Sequence, residues 1–176
     1  MSEPLKLLTV CLGNICRSPT AEAAIAEAAA EADVEVEVSS AGTGAWHIGE
    51  PPDRRMRAAA ADRDLHLAGS AVQVTAPAMA DADLILAMDR RNLTELEVLA
   101  EAADISTPVV LFRRFDPEGD DDLEVPDPYF GGPDGFTEVV AICRRTAISL
   151  VAALASGGVA GALGGGRPAP DTDGTA

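Results

Sequence analysis

Aromatic and basic residues are both scarce in this chain. Six aromatics (four Phe, one Trp, one Tyr) occur in 176 residues, and 13 Lys and Arg face 29 Asp and Glu. The resulting formal charge of −16 argues against a nucleic acid as partner and favours an anionic, soluble surface. No run approaches the eighteen or so apolar residues of a membrane span, and Met1-Ser2-Glu3-Pro4 lacks the basic stretch of a signal peptide. No membrane partner is therefore expected, and the cytoplasm is the expected location, although export without a recognisable signal stays open. Three cysteines, an odd number, make no secreted disulfide framework. His47 and His66 have no metal-ligand spacing to them and are expected on the surface, so neither metal nor cofactor is implied. A core short of aromatics must be aliphatic, which makes any aromatics bunched in loops informative.

What the chain does have is 47% hydrophobic content, enough for one ordinary domain, arranged in alternating patterns. Residues 5–10 form a short apolar run of the kind that makes a central parallel strand, and the alanine-rich segment from Thr20 to Glu31 reads as a helix. Residues 34–38 alternate strictly and predict an edge strand, followed by a loop over 39–52 holding the sole tryptophan, Trp46. A helix over about 52–61, a Pro77-started helical turn, a strand over 84–88, and a helix capped by Asp89 and running to about Glu101 come next. A fourth strand is expected over 108–112, a long acidic loop over 113–135 and a last helix over about 136–155. The implied fold is α/β, a four-stranded parallel sheet with helices on both faces and a phosphate-binding loop after strand 1. One domain is expected over residues 1–156. The Gly/Ala/Pro-rich stretch 157–176 has little apolar bulk and is expected to be a disordered tail.

The chemistry concentrates in Val10-Cys11-Leu12-Gly13-Asn14-Ile15-Cys16-Arg17-Ser18-Pro19-Thr20. A loop curling around one anion places the Cys11 thiol beneath it and the Arg17 guanidinium, a fork matched to two phosphate oxygens, beside it. Gly13 and Asn14 tolerate the left-handed backbone that such a nest requires. A helix starting at Arg17 or Ser18 aims its free N–H groups back into the loop. An ordinary thiol of pKa ~8.5 is only about 3% ionised at neutral pH, and lowering it to roughly 5.5 raises the thiolate about thirtyfold. No Gly-Lys-Ser/Thr follows the glycine, which disfavours a nucleotide-binding loop.

This stretch resembles the signature of the low-molecular-weight protein tyrosine phosphatase family: Cys, five residues, Arg, then Ser, with Gly and Asn inside. The likeness extends through Ser40-Ala41-Gly42-Thr43, Trp46, Gly49-Glu50-Pro51-Pro52-Asp53, Met88-Asp89, Asn92 and Asp127-Pro128-Tyr129, covering about residues 5–155. It implies a protein-tyrosine phosphatase acting through a phosphocysteine, with a tyrosine-phosphorylated protein as substrate and inorganic phosphate as product. Cys11 would be the nucleophile and Asp127 the general acid and base, while Arg17 and the residues Leu12, Gly13, Asn14, Ile15, Cys16 and Ser18 bind phosphate. Ser18 is also a candidate helix cap, and Asp127 before Pro128 equally suits a turn. Cys16 matches the family's second loop cysteine and would form a reversible disulfide with an oxidised Cys11; plain packing is the competing reading.

Trp46, Tyr129 and Phe130, half of the chain's aromatics, fall in the two loops expected to overlook the cradle and would line a slot for the ring. Ile15 points the same way, because similar phosphatases of phosphoarginine carry threonine there. The family usually has a histidine four residues before the position of Gln73, where this chain has Gly69; Ser40 is left to support Asn14, and the cradle is expected to be held less rigidly. Three alternatives stand beside this reading. An arsenate reductase of the same fold needs a close mid-chain cysteine pair, and none lies between Cys16 and Cys143. A phosphoarginine phosphatase is less favoured by Ile15 and Trp46, and a non-catalytic phosphate-binding module would bind the anion without turnover.

Overall fold

The computed structural model describes residues 2–119 and 121–165. Its strands are β1 (Leu5–Cys11), β2 (Val36–Gly42), β3 (Leu84–Ala87) and β4 (Val109–Leu111), all parallel in the order β2-β1-β3-β4. The helices are α1 (Arg17–Glu31), α2 (Arg54–Ala61), α3 (Ala76–Asp81), α4 (Arg90–Ala102) and α5 (Pro133–Gly164), with a 3-10 turn at Phe112–Phe115.

Side chains alternate through the sheet as the pleat demands. Leu7, Cys11, Leu84 and Leu86 join one apolar cluster with Ile25 of α1, Met56 of α2 and Val139 and Leu150 of α5. Leu8, Val10, Ile85 and Ala87 join another with Met79 of α3 and Leu96 of α4. Helices thus cover both faces, and the carboxyl end of β1 is left to carry a loop. Ala21, Ala24, Ala28 and Ala29 of α1 are buried and let α5 approach closely, with Arg144 pairing Glu27 at 3.0 Å across the contact.

Several expectations need correction. The strand over residues 34–38 instead spans Val36–Gly42, because β1 pairs with it residue by residue from Leu5↔Val36 to Cys11↔Gly42. Gly42 ends it against the cradle: a β-carbon there would lie 2.7 Å from Leu12 O, a contact only glycine avoids. The last helix is longer than residues 136–155. It begins at Pro133 and, after a break at Gly157 and Gly158 (φ +61°), continues to Gly164. That second segment is ordered by apolar residues placed on one side: Ala162 is buried, Val159 and Leu163 pack on the core, and Arg114 Nη2 donates to Leu163 O at 3.2 Å. Expected disorder over 157–176 therefore fails for 157–165, and residues 166–176 lie outside the described residues.

α5 also departs from the expectation of no span-length apolar run, since by length and composition alone it would suffice to cross a membrane. In the fold its face from Phe136 to Leu154 is part of the core, and Arg145 pairs with Asp116. Asp116 is fully buried. Burial pushes its pKa up, but hydrogen bonds from Arg145 and Arg113 outweigh this and hold it below the ordinary carboxylate range. This cluster anchors the root of the long acidic loop. Arg113 Nη1 donates to Glu124 O at 2.9 Å, and Val125 N donates to Met88 O at 2.8 Å.

Candidate active site

β1 ends at Cys11, and the chain then bends through residues 12–16 before α1 opens at Arg17. Asn14 takes the left-handed conformation, φ +55°, that turns the loop inward. Its backbone N–H donates to Cys11 Sγ at 3.2 Å. Its side-chain amide donates to Ser18 Oγ at 2.7 Å and Ser40 Oγ at 3.0 Å, while its carbonyl accepts from Val72 N at 3.0 Å. Ser18 Oγ, which accepts from Asn14, lies 3.0 Å from Cys11 Sγ and 3.4 Å from Ala41 O, so the sulfur and that carbonyl are the two partners within reach of its proton. Ser40 in turn donates to Glu22 at 2.6 Å, and burial pushes the pKa of that carboxyl up. Both hydrogens of the Asn14 amide and its oxygen are thus engaged without residue 69. Gly69 itself sits at φ +84° with open space where a side chain would begin.

Arg17 is 3% exposed, yet its guanidinium is held on several sides. Nη1 donates to Asp89 Oδ2 at 2.7 Å and to Val125 O at 3.1 Å, and Nη2 lies 3.6 Å from Asp127 Oδ2. Asp127 stands at the mouth, with its other oxygen accepting from Tyr129 N at 3.1 Å. Cys11, Leu12, Gly13, Ile15, Cys16, Arg17, Asp127, Trp46, Tyr129 and Phe130 line one cavity of about 160 Å³. Cys11, five of the seven residues expected to bind phosphate, the acid and the three aromatics named from the sequence are therefore brought to one place, while Asn14 and Ser18 stand behind the wall as supports. Cys16 is buried beside Cys11 in this lining. Burial, and then the nearby Asp53 carboxylate, push its thiol well above the usual range, which favours the neutral form. Cys143 is fully buried in α5.

A model of the family described as low molecular weight phosphotyrosine protein phosphatase matches residues 6–159. The chain belongs to that family. It is accordingly a hydrolase of the protein-tyrosine phosphatase class. A relative named low molecular weight protein-tyrosine-phosphatase, from Streptomyces coelicolor, is 41% identical over 148 residues, 82% of this chain and 90% of its own. Among solved structures, a protein tyrosine phosphatase from Entamoeba histolytica with Hepes in its active site superposes with a TM-score of 0.80 at 34% identity. The match covers 87% of this chain and 98% of that one. The arginine phosphatase of Drosophila superposes with a TM-score of 0.79 at 28% identity, over 84% and 96% of the two chains.

The phosphatase cradle also uses residues that sequence reasoning missed. Asp89 was legible as the cap of α4, and one of its oxygens does accept from Asn92 N at 2.7 Å; the other orients Arg17. His47, expected on the surface, instead lines the cavity. It packs on the bare Cα of Gly13, where a β-carbon would lie 3.0 Å from its ring, and it contacts Glu50 at 2.6 Å. Its adjacency to Trp46 was the available signal.

Asp53 and Arg55 form a link. Asp53 N donates to Ile15 O at 2.8 Å, and the Asp53 carboxylate caps α2 and takes Arg55 Nη2 at 3.0 Å. The Arg55 guanidinium lies over the rings of Tyr129 and Phe136, 5.2 and 4.7 Å from their centroids. The cradle and the acid loop are thereby tied through α2.

Proposed function

We propose that the protein hydrolyses phosphotyrosine in proteins through a phosphocysteine at Cys11. The observation that carries this reading is the convergence of Cys11, Arg17 and Asp127 on one aromatic-walled cavity, with Asp127 at its mouth. Cys11 Sγ, as thiolate, attacks phosphorus in line: the S–P bond forms and the P–O bond to tyrosine breaks. Asp127 gives its proton to the departing phenolate oxygen. The loop amides and Arg17 bear the charge that develops on the equatorial oxygens, and the tie to Asp89 keeps the Arg17 fork aimed as the geometry changes. Water then attacks phosphorus, Asp127 takes its proton, the S–P bond breaks and inorganic phosphate leaves. Ser18, 3.0 Å from the sulfur, stabilises the thiolate as it departs.

Trp46, Tyr129 and Phe130 line the cavity of about 160 Å³ above Cys11, and the buried Ile15 adds an apolar surface to its wall. This favours a phenol over a guanidinium and so a phosphotyrosine over a phosphoarginine substrate. The role of Cys16 as redox partner of Cys11 belongs to the same reading and is supported by their shared place in the cavity lining. So do action without metal or cofactor, cytoplasmic location, and partners limited to phosphoproteins, without nucleic acid or membrane. The charge of −16 supports the exclusion of nucleic acid. The phosphatase domain is read as residues 1–156, with the end of α5 packed onto it through Val159, Ala162 and Leu163.

Hydrolysis of phosphotyrosine, phosphoserine and phosphoarginine peptides by wild type and Cys11→Ser tests the reading. The phosphotyrosine peptide is expected to turn over fastest and Cys11→Ser to be inactive. No turnover by wild type, or full rate in Cys11→Ser, contradicts it.

A further inference from the structure

The catalytic slot does not account for everything exposed at its rim. Trp46 is 71% exposed, a costly position for the only indole in an aromatic-poor chain. It is also seated, not loose: its ring lies on Gly44, where a β-carbon would come within 2.0 Å of Trp46 Cζ3. Leu12 and Trp46 line the slot, and the same two residues line a second, open groove of about 360 Å³. Its far wall is the outer face of α4, with Val98 61% and Leu99 41% exposed. At its margin Arg91 and Glu95 pair with each other at 3.2 Å, leaving no net charge to attract a charged side chain.

We infer that this groove receives the substrate polypeptide beside the phosphotyrosine and selects an apolar, non-acidic residue there. The inference rests on the phosphotyrosine reading above. Three features point to that occupant. The groove is continuous with the slot through Leu12 and Trp46, so a chain whose phosphotyrosine fills the slot runs over it. Its lining is mainly apolar surface from Leu12, Trp46, Val98 and Leu99, interrupted by Thr43, Thr94 and the self-paired Arg91 and Glu95, so apolar contact there is gained without loss of a paired charge. Finally, the net charge of −16 repels acidic flanks. Val98 is the residue assigned to specificity, since it faces the groove from α4 and takes no part in the cradle.

The test compares kcat/KM for phenyl phosphate and for phosphotyrosine peptides flanked by leucine or by glutamate, in wild type, Val98→Asp and Val98→Leu. Wild type is expected to prefer the leucine-flanked peptide about tenfold. Val98→Asp should remove most of that preference, Val98→Leu should keep it, and phenyl phosphate should be hydrolysed equally by all three. Equal rates on the two peptides in wild type, or an equal fall for phenyl phosphate and peptide in Val98→Asp, overturn the groove alone. No turnover of phenyl phosphate by wild type overturns the phosphatase reading and the groove with it.

Discussion

Asn14, Arg17 and Ser18 are buried and tied by a chain of short hydrogen bonds, whereas Trp46 and Phe130, on the rim of the same cavity, are 71% and 95% exposed. The buried set fixes atoms that must not move while charge develops on phosphorus, and it has its dipoles oriented before substrate arrives. The exposed set can adapt to the chain that carries the phosphate. Asp127 lies between them: it is 3.6 Å from the buried Arg17, but its loop is held from outside by Tyr129 and Arg55. On the proposed mechanism, reaction type resides in the floor and substrate choice in the rim, with the acid loop joining the two.

The comparison breaks most visibly at Asp127. Asp127→Ala should slow hydrolysis of esters with poor leaving groups by about 10² to 10⁴. Esters whose leaving groups depart without a proton should be far less affected, and a plot of kcat against leaving-group pKa checks this. Asp116 tests the root of the acid loop. Asp116→Asn leaves Arg113 and Arg145 without their shared anion and should cost about 3–5 kcal/mol in denaturant unfolding.

The folded-state pKa of Asp116 is lowered, so its contribution to stability is present above the ordinary carboxylate value of about 3.9. That contribution is lost as pH falls through the lower folded value. The acid limb of the stability curve should flatten in Asp116→Asn.

Arg55→Met keeps a stem over Tyr129 and Phe136 but removes the cation and the bond to Asp53. A fall of about tenfold is expected for poor leaving groups, with little change for good ones, because the effect passes through the position of Asp127. The smallest effect is expected at Gly69. Gly69→His introduces the family's usual residue at φ +84°, which should lower Tm slightly; kcat should stay within about twofold, since Asn14 is already fully engaged. A large gain in kcat would mean that the cradle is under-supported.

The cradle was legible because its parts are contiguous: one short loop carries the thiol, the amides and the guanidinium, and residue type at fixed spacing reports their chemistry. The buried strands were legible from their apolar runs. What escaped joins residues far apart in the chain. Asp89 meets Arg17 across 72 positions, and Arg55 of α2 meets Phe136 of α5 with α3, β3, α4 and β4 between them in the chain; neither contact leaves a periodic trace. The end of β2 escaped for a related reason. Ser39 and Ser40 pair with Leu8 and Thr9 of β1 while the Ser40 hydroxyl serves Asn14, and their polarity hides the strand pattern. The extension of α5 was hidden by composition, since glycine and alanine look unable to order a segment until Ala162 and Leu163 find the core.

The central claim is that the thiol beneath the cradle carries the phosphoryl group. Rapid-quench mass analysis of Asp127→Ala protein turning over an aryl phosphate with a good leaving group tests it most directly. The account predicts a phosphorylated enzyme modified at Cys11, absent in the Cys11→Ser, Asp127→Ala double variant. Turnover with no phosphoenzyme, or with phosphate on any residue other than Cys11, would contradict it.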